Sequence, residues 1–516
     1  MNRLRSLAVW IGPLAGAGAG LAAWWALSGK GGSGAEGGLS REGCFVVAVA
    51  VWMAIWWITE AVELEATALL PMVLFPALGV MPIKAAAAPY ADPTIFFFMG
   101  GMMLGAAMER WGLPKRFALH VLLRVGARPG LLVLGAMVAT AVTSMWVNNT
   151  STCIMMLPIG MSVVRLMNRP GADADAPPPA ADNFATAMVL GIAYAATIGG
   201  VGTLFGTAPN IILQSTLRNI AGTELSFGQY AAVGIPLMVL FLPVAWLILM
   251  WLYPPRPPTH SSPSGDGSDT RRFLLDQLNE LGPMRRPERS VLLVLLGAVA
   301  LWTCMNPLNA AINTALDRDP SAPGGATVLS EAGIAILAAL VLFLIPARDN
   351  AGRPTRVLDW PTANGIQWGV LILFGGGLSL AEAMGKAGVN EAIGDLFKNL
   401  DGVPPILVIL GLTVTTQIVS EVASNTAVAT TFLPIAYAGS QALGVHPFTF
   451  MFPVALAASY AFMMPMGTPP NAMAVATGRV RIGQMVRAGL LLNIVAAMLI
   501  TGLVWFAVPL LYPAAP

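Results

Sequence analysis

Two Asn-Thr pairs carry the most pointed chemistry in this chain: Asn149-Thr150 and Asn425-Thr426, 276 residues apart. The same spacing superimposes Phe98, Gly100, Gly101, Met108 and Gly112 on Phe374, Gly376, Gly377, Met384 and Gly388, and Leu157-Pro158 on Leu433-Pro434. This reads as an internal duplication. Each pair sits between two apolar runs with no Lys, Arg or His nearby. In a membrane protein, matched polar breaks of this kind read as two halves of one buried binding site.

Amides, hydroxyls and helix ends set what such a site can hold. Four segments are implicated: 129–164, 186–217, 403–440 and 449–477. None contains Lys, Arg or His. Helix N-termini favour anions through their free N–H groups. An anion held here would still lack a formal cationic partner, and burying an unpaired charge is costly. A bound cation supplies the missing charge, and Na⁺ requires only neutral oxygens. The reading is cation-coupled anion transport, although Asn and Thr also bind neutral solutes. The simpler alternative, that Asn149 and Asn425 merely cap broken helices, does not account for their duplication. Glu421 is the only acid in the two hairpin segments. An intramembrane acid is a functional candidate, but tying down the hairpin loop is the favoured role. Gly100-Gly101 and Gly376-Gly377 read as close helix packing. Cys44, Cys153 and Cys304 are unpaired in spacing, and His120, His260 and His446 fit no ligand pattern. A membrane enzyme would need a nucleophile–base pair or acidic metal ligands, which the candidate cavity lacks. The chain is therefore read as a non-enzyme.

The elements that position these residues are apolar. The chain is 56% hydrophobic and only 10% charged, against about 25% charged in soluble domains. Net charge is +2, which suggests no nucleic-acid partner. Runs of roughly 20 apolar residues recur, enough to cross a bilayer. Spans are expected near 7–27, 43–60, 63–82, 93–110 and 229–253, then 290–308, 328–346, 367–385 and 485–511. The first is read as a retained span rather than a cleaved signal peptide. Between them, 129–164 and 403–440 read as re-entrant hairpins, and 186–217 and 449–477 as broken spans. Interfacial stretches hold Lys115, Arg116 and Arg124 in one half and Lys386 and Lys398 in the other. Loops are expected over 171–183 and 258–270. The fold class is thus all-α and polytopic, with about 11 transmembrane helices plus two re-entrant hairpins. Its parts are an N-terminal span and loop (1–42), a first repeat (43–253), a linker (254–289) and a second repeat (290–516). Five crossings per repeat would invert the second copy. With the N-terminus inside, 21 Lys and Arg residues fall inside and 7 outside, as the positive-inside rule requires. Inverted repeats in turn suggest an elevator mechanism.

Residues Ser424-Asn425-Thr426 resemble the Ser-Asn-Thr motif of the divalent anion/sodium symporter family. Asn148-Asn149-Thr150 sits where its first copy belongs. Ala458 through Asn471, ending Gly467-Thr468-Pro469-Pro470-Asn471, resembles that family's C-terminal signature, and Thr207-Ala208-Pro209-Asn210 its counterpart. The resemblance runs from about residue 43 to the end. It implies a sodium-driven dicarboxylate importer in the cell membrane. Alternatives on the same fold are a sodium-independent exchanger or a sulfate or tricarboxylate carrier. It further implies a homodimer with a fixed scaffold (the first four spans and 290–385) and a moving transport domain. One Na⁺ would be held by Ser144, Asn148, Asn149 and Gly199, and another by Ser420, Ala423, Asn425 and Gly467. Asn149, Thr150, Asn425 and Thr426 would hold the dianion's carboxylates, with Asn148, Ser424, Thr468 and Pro469 beside them. The departure is Asn148, where the family has Ser; its larger amide bears on the first ion site.

Overall fold

The computed structural model describes residues 14–26, 39–126, 128–167, 182–255, 268–316, 328–349, 351–398, 400 and 402–512. These are almost entirely helical. Much of the expected loops over 171–183 and 258–270, and the first residues of the expected 7–27 span, lie outside this set.

The expected hairpins are pairs of helices. Pro129–Ser144 turns at Met145–Asn148 into Asn149–Met167, and Pro405–Ser420 turns at Glu421–Ser424 into Asn425–Ala442. The two first arms have the same length, 16 residues. Each begins with proline at the first helical position, where the missing N–H is no loss. The preceding interfacial stretches are the helices Leu113–Val125 and Val389–Lys398. They start after Gly112 and Gly388, whose φ angles are 71° and 73°. Only glycine adopts that conformation without a steric penalty.

The broken spans are also pairs: Asn183–Gly200 with Ala208–Ile220, and Pro447–Ser459 with Pro469–Ala476. The pairs interlock. Ala208–Ile220 packs on the second hairpin arm Asn425–Ala442, and Pro469–Ala476 packs on Asn149–Met167. Lipid is as apolar as leucine, so this association depends on close packing rather than on burial from water. Small residues supply it. A Cβ on Gly101 would overlap the Phe205 ring, and one on Gly377 would overlap Thr430. Gly100 and Gly376 abut the backbones of Ala335 and Ala68. The packing role read for these glycines is therefore the observed one.

Four expectations need adjustment. The run 63–82 forms two short helices, Leu64–Thr67 and Leu70–Ala77. Pro71 lacks the N–H that would carry one helix through. The run 290–308 forms Arg286–Thr303, which bends by 74° into Met305–Ala315. The all-α class admits one exception, an antiparallel two-stranded sheet of Pro346–Arg348 and Pro354–Arg356. Its turn is closed by Asp349, which accepts from Ala351 N and Arg353 N, and by Gly352 at φ 78°. Finally, 7 of the described helices are long and apolar enough to cross a bilayer, or 8 with the bent pair, against the 11 expected. Glu331–Leu344, at 14 residues, is among the shorter apolar helices.

Candidate functional site

Each hairpin tip meets the unwound centre of its own half's broken span, and the meeting point is a ring of oxygens. In the first half, Ser144 Oγ lies 2.7 Å from Asn149 Oδ1 and 2.7 Å from the Ala196 carbonyl oxygen. In the second, Ser420 Oγ lies 2.8 Å from Asn425 Oδ1 and 2.6 Å from the Ala458 carbonyl oxygen. A hydroxyl has one proton, so it satisfies only one of two such acceptors. With the amide turned over, Asn149 Nδ2 donates to Ser144 Oγ (2.7 Å), Ala196 O (3.0 Å) and Gly206 O (3.3 Å). Likewise Asn425 Nδ2 reaches Ser420 Oγ (2.8 Å), Ala458 O (3.1 Å) and Gly467 O (3.1 Å). The amide's terminal atom therefore faces three oxygens in each half. Either an N–H₂ group or a cation can satisfy them.

The surrounding backbone is held by a second matched pair. Asn210 Nδ2 donates to Gly200 O (3.0 Å) and Thr203 O (2.7 Å). Asn471 Nδ2 donates to Ala461 O (3.0 Å) and Met464 O (3.1 Å). Both asparagines are fully buried. Each spans the break of its helix and fixes where the unwound carbonyls point. Gly200 is required for a steric reason: a Cβ there would occupy the place of the Asn149 side chain.

The halves differ at Glu421. This buried carboxylate accepts three successive backbone N–H groups, from Phe462 (2.8 Å), Met463 (3.0 Å) and Met464 (2.9 Å). Asn493 Nδ2 adds a fourth partner at 2.7 Å. Successive N–H groups form an anion-binding concavity, here filled by the protein's own side chain. The loop-tethering role read for Glu421 is the one the geometry supports. The first half has Met145 at the equivalent place, and its carbonyl accepts from the Thr203 hydroxyl.

The remaining candidates fall in distinct places. Asn148 Oδ1 accepts from Ser151 N at 2.8 Å, so its amide caps the helix it precedes. Ser424 stands at the corresponding cap position without a side-chain bond. The Gly199 carbonyl accepts from Gly202 N at 2.9 Å, and Ala423 N donates to Val419 O at 3.0 Å. The oxygens about Asn149 instead come from Ser144, Ala196 and Gly206. Thr150 and Thr426 are half-buried beside their asparagines. Thr468 is buried and Pro469 exposed at the start of Pro469–Ala476. Ala196, Gly206 and Ala458 went unread in the sequence because they act through main-chain oxygens. One signal existed. Thr207-Ala208-Pro209-Asn210 and Thr468-Pro469-Pro470-Asn471 align at their own spacing, which sets Gly206 opposite Gly467.

A cavity of about 960 Å³ opens elsewhere, lined by Asp92, Asn219, Glu382, Lys386, Asn390 and Gln441 among others. It adjoins a narrow slot between Ser215, Thr216, Phe374, Gly377 and Thr430. Thr430 in that slot donates to Thr426 O at 2.8 Å, one helical turn from the second tip. Among the described residues, no three His, Cys, Asp or Glu side chains group as a metal site. The oxygens at the tips are neutral, a hydroxyl, an amide and main-chain carbonyls.

Comparison with known proteins places the chain in a family. The family profile described as the sodium:sulfate symporter transmembrane region matches residues 35–512. The chain is 37% identical over 471 residues to a protein of Staphylococcus saprophyticus named sodium-dependent dicarboxylate transporter SdcS, covering 91% of this chain and 87% of that one. It is also 37% identical over 472 residues to the protein of the same name from Staphylococcus aureus, at 92% and 87% coverage. In fold it is similar to the crystal structure of the Alcanivorax borkumensis YdaH transporter, with a TM-score of 0.54 and 16% identity over 91% of this chain and 100% of that one. An integral, multi-pass helical protein with a neutral-oxygen ring at each of two hairpin tips, this chain belongs to the sodium:sulfate symporter family.

Proposed function

We propose that the chain is a secondary transporter that couples Na⁺ to the uptake of dicarboxylates of the succinate class. The observation that carries this is the pair of oxygen rings at Asn149 and Asn425, each built from an amide, a serine hydroxyl and two main-chain carbonyls. Such rings offer Na⁺ its ligands without charge. They lie at helix starts whose N–H groups favour anions. The names of the Staphylococcus relatives point to the same substrate and ion.

In this reading one Na⁺ sits with Ser144, Asn149, Ala196 and Gly206, and Gly199 and Asn148 shape the site from behind. The other sits with Ser420, Asn425, Ala458 and Gly467, next to Ala423. The dianion bridges Asn149-Thr150 and Asn425-Thr426, with Ser424, Thr468 and Pro469 around it. Each asparagine serves both guests: Oδ1 turns to the ion and Nδ2 to a carboxylate. The two ions offset the dianion's charge, so the loaded site is close to neutral.

The two halves act as inverted repeats in an elevator. Both hairpins, both broken spans and the helices Phe227–Leu252 and Ile482–Leu511 form the moving unit. Helices such as Pro93–Arg110, Glu331–Leu344 and Trp368–Lys386 belong to a fixed, dimerising scaffold. The small-residue contacts of Gly101 with Phe205 and of Gly377 with Thr430 lie on the sliding boundary. The 960 Å³ cavity and its slot form the entry vestibule on one side. The protein resides in the cell membrane with its N-terminus in the cytoplasm, as the distribution of Lys and Arg favours.

Uptake of labelled succinate into proteoliposomes tests the proposal. A sodium gradient should drive accumulation, and replacing Na⁺ with choline should abolish it. Equal uptake in choline would replace symport with exchange, and sulfate uptake without succinate uptake would replace the substrate.

A further inference from the structure

The boundary between the two proposed units is mostly apolar. Phe205 lies between Phe97 and Trp302, with ring centroids at 4.5 and 4.9 Å. Phe227 contacts Trp302 at 5.2 Å and Trp146, at the first hairpin tip, at 6.2 Å. Apolar contact is non-directional. It lets surfaces slide but does not define where sliding stops.

Two polar contacts interrupt it: Asn219 Nδ2 donates to Asp92 Oδ2 at 3.1 Å, and Glu331 takes two donors at once. Glu331 opens the helix Glu331–Leu344, which packs on Pro93–Arg110 and Arg286–Thr303. Its Oε1 accepts from the backbone N–H of Phe227 at 2.5 Å, and its Oε2 accepts from Gln214 Nε2 at 2.6 Å. Its main-chain carbonyl accepts from Trp302 Nε1 at 3.2 Å. Gln214 lies on the second segment of the first broken span, and Phe227 starts the next helix. Gln214 thus comes from the broken span that carries the first oxygen ring, and Phe227 from the helix that follows it. Gln214 is buried, and its Nε2 also donates to Leu225 O at 2.7 Å. That second bond aims the amide at Glu331. The charged groups facing Glu331 are Glu224 and Arg218, of opposite sign. Asp92, which begins the adjoining helix, is taken up by Thr94 N and Asn219 Nδ2.

We infer that the Glu331 carboxylate is the latch that holds the moving unit in the state seen here, by binding Gln214 Nε2 and the Phe227 N–H across the sliding boundary. The inference rests on the elevator reading. Both bonds are short and directional, and they cross an otherwise largely apolar boundary. Both must break before Ala208–Ile220 moves past Glu331–Leu344. Glu331 touches neither oxygen ring, so it positions the unit and does not bind cargo.

The test uses the full chain in nanodiscs, with Cys44, Cys153 and Cys304 replaced and spin labels at Leu293 and Ile418, both exposed. Electron–electron distance distributions are recorded with and without Na⁺ and succinate. Glu331→Gln turns an acceptor into a donor facing Gln214 Nε2, and Gln214→Leu removes the donor from the other side. Each should shift the ratio of the two distance populations by a few-fold to about tenfold, the size expected of one lost hydrogen bond. The double variant should shift it no further, because both changes break the same contact. The succinate KM should stay within about twofold while the maximal rate changes. If Na⁺ and succinate shift the wild-type distances but neither variant differs from wild type, the latch is refuted and the moving unit stands. If the two single effects simply add, the contact is not shared and the latch is again refuted. If no condition alters the distances, the elevator reading fails and the latch fails with it.

Discussion

Replacing Glu421 with Gln should weaken the second ion site far more than a change of one atom suggests. The carboxylate receives N–H groups from both of its oxygens: Phe462, Met463 and Asn493 on Oε1, and Met463 and Met464 on Oε2. An amide keeps one acceptor. The best orientation retains the Oε1 bonds and turns an N–H₂ group towards Met464 N, 2.9 Å away. One charge-assisted bond is lost, which costs about 1.5–3 kcal/mol, and a buried N–H is left unpaired, which costs about 1–3 kcal/mol more. The sum, about 2.5–6 kcal/mol, falls on the loop that carries Gly467 O to the ring around Asn425. If only half of it appears as disordering of that loop, sodium affinity drops by roughly tenfold or more. The assay is the sodium activation curve of succinate uptake in proteoliposomes, alongside thermal melting of the purified protein. Half-saturating sodium should rise at least about tenfold for Glu421→Gln. It should rise less for Asn493→Ala, which removes one donor and leaves the carboxylate intact. An unchanged activation curve and melting point for Glu421→Gln would refute the claim that this side chain holds the loop.

Asn149→Ala and Asn425→Ala should each abolish succinate uptake while the protein still inserts and purifies; uptake in both variants would remove these residues from the site. Gly101→Leu and Gly377→Leu would press new side chains into Phe205 and Thr430, with overpacking of about 1–3 kcal/mol, so the rate of uptake should fall more than the affinity for succinate. Asn210→Leu and Asn471→Leu each remove two bonds across a helix break and should lower the melting temperature by several degrees, read by scanning fluorimetry. Asp359, in the segment after the small sheet, gives a pH signature. Burial raises its carboxyl, but hydrogen bonds from Thr362 and Arg110 outweigh this and hold it at about 2. Its stabilisation is therefore present above the usual carboxylate range and is lost as pH falls from about 4 to about 2, so wild type and Asp359→Asn should differ in melting temperature at neutral pH and converge at the acid end.

The hairpin tips were legible because polarity inside an apolar run is conspicuous. Asn149 and Asn425 are found by residue type and paired by their spacing, while Ser144 and Ser420 come only through the family resemblance. Ala196 and Ala458 were not legible, because any residue supplies a carbonyl and alanine in a helix carries no signal. Gly206 lay within reach: its register with Gly467 differs from that of the hairpins, and a single spacing applied to the whole duplication passed over it. The small sheet was missed for another reason. A window tuned to long apolar runs is blind to Asp349, Gly352, Pro346 and Pro354, which are turn and edge residues rather than membrane signals. The same window joined Leu64–Thr67 to Leu70–Ala77, since hydropathy takes no account of the N–H that Pro71 lacks.

The choice of asparagine at both tips follows from what an unloaded ring would otherwise be. Two carbonyls and a serine hydroxyl facing one another share a single proton, and each buried acceptor left without a donor carries a penalty of about 1–3 kcal/mol. Aspartate would add a fourth acceptor and a charge. Serine at that position is too short to reach Ala196 and Gly206 together. An amide with Nδ2 inward meets all three oxygens in each half at hydrogen-bonding distance, so the empty site is satisfied and neutral. Turned over, the same planar group adds Oδ1 to the ring, which then lacks a donor unless a cation enters. It simultaneously points Nδ2 away from the ring, where Asn425 Nδ2 has only a long bond to Ser459 O at 3.4 Å and a carboxylate would be a stronger acceptor. In the proposed function, ion and dianion would thus be linked through one rotation about one bond in each half. No residue carrying a fixed positive charge is required at either tip, which is why the four segments can dispense with Lys, Arg and His.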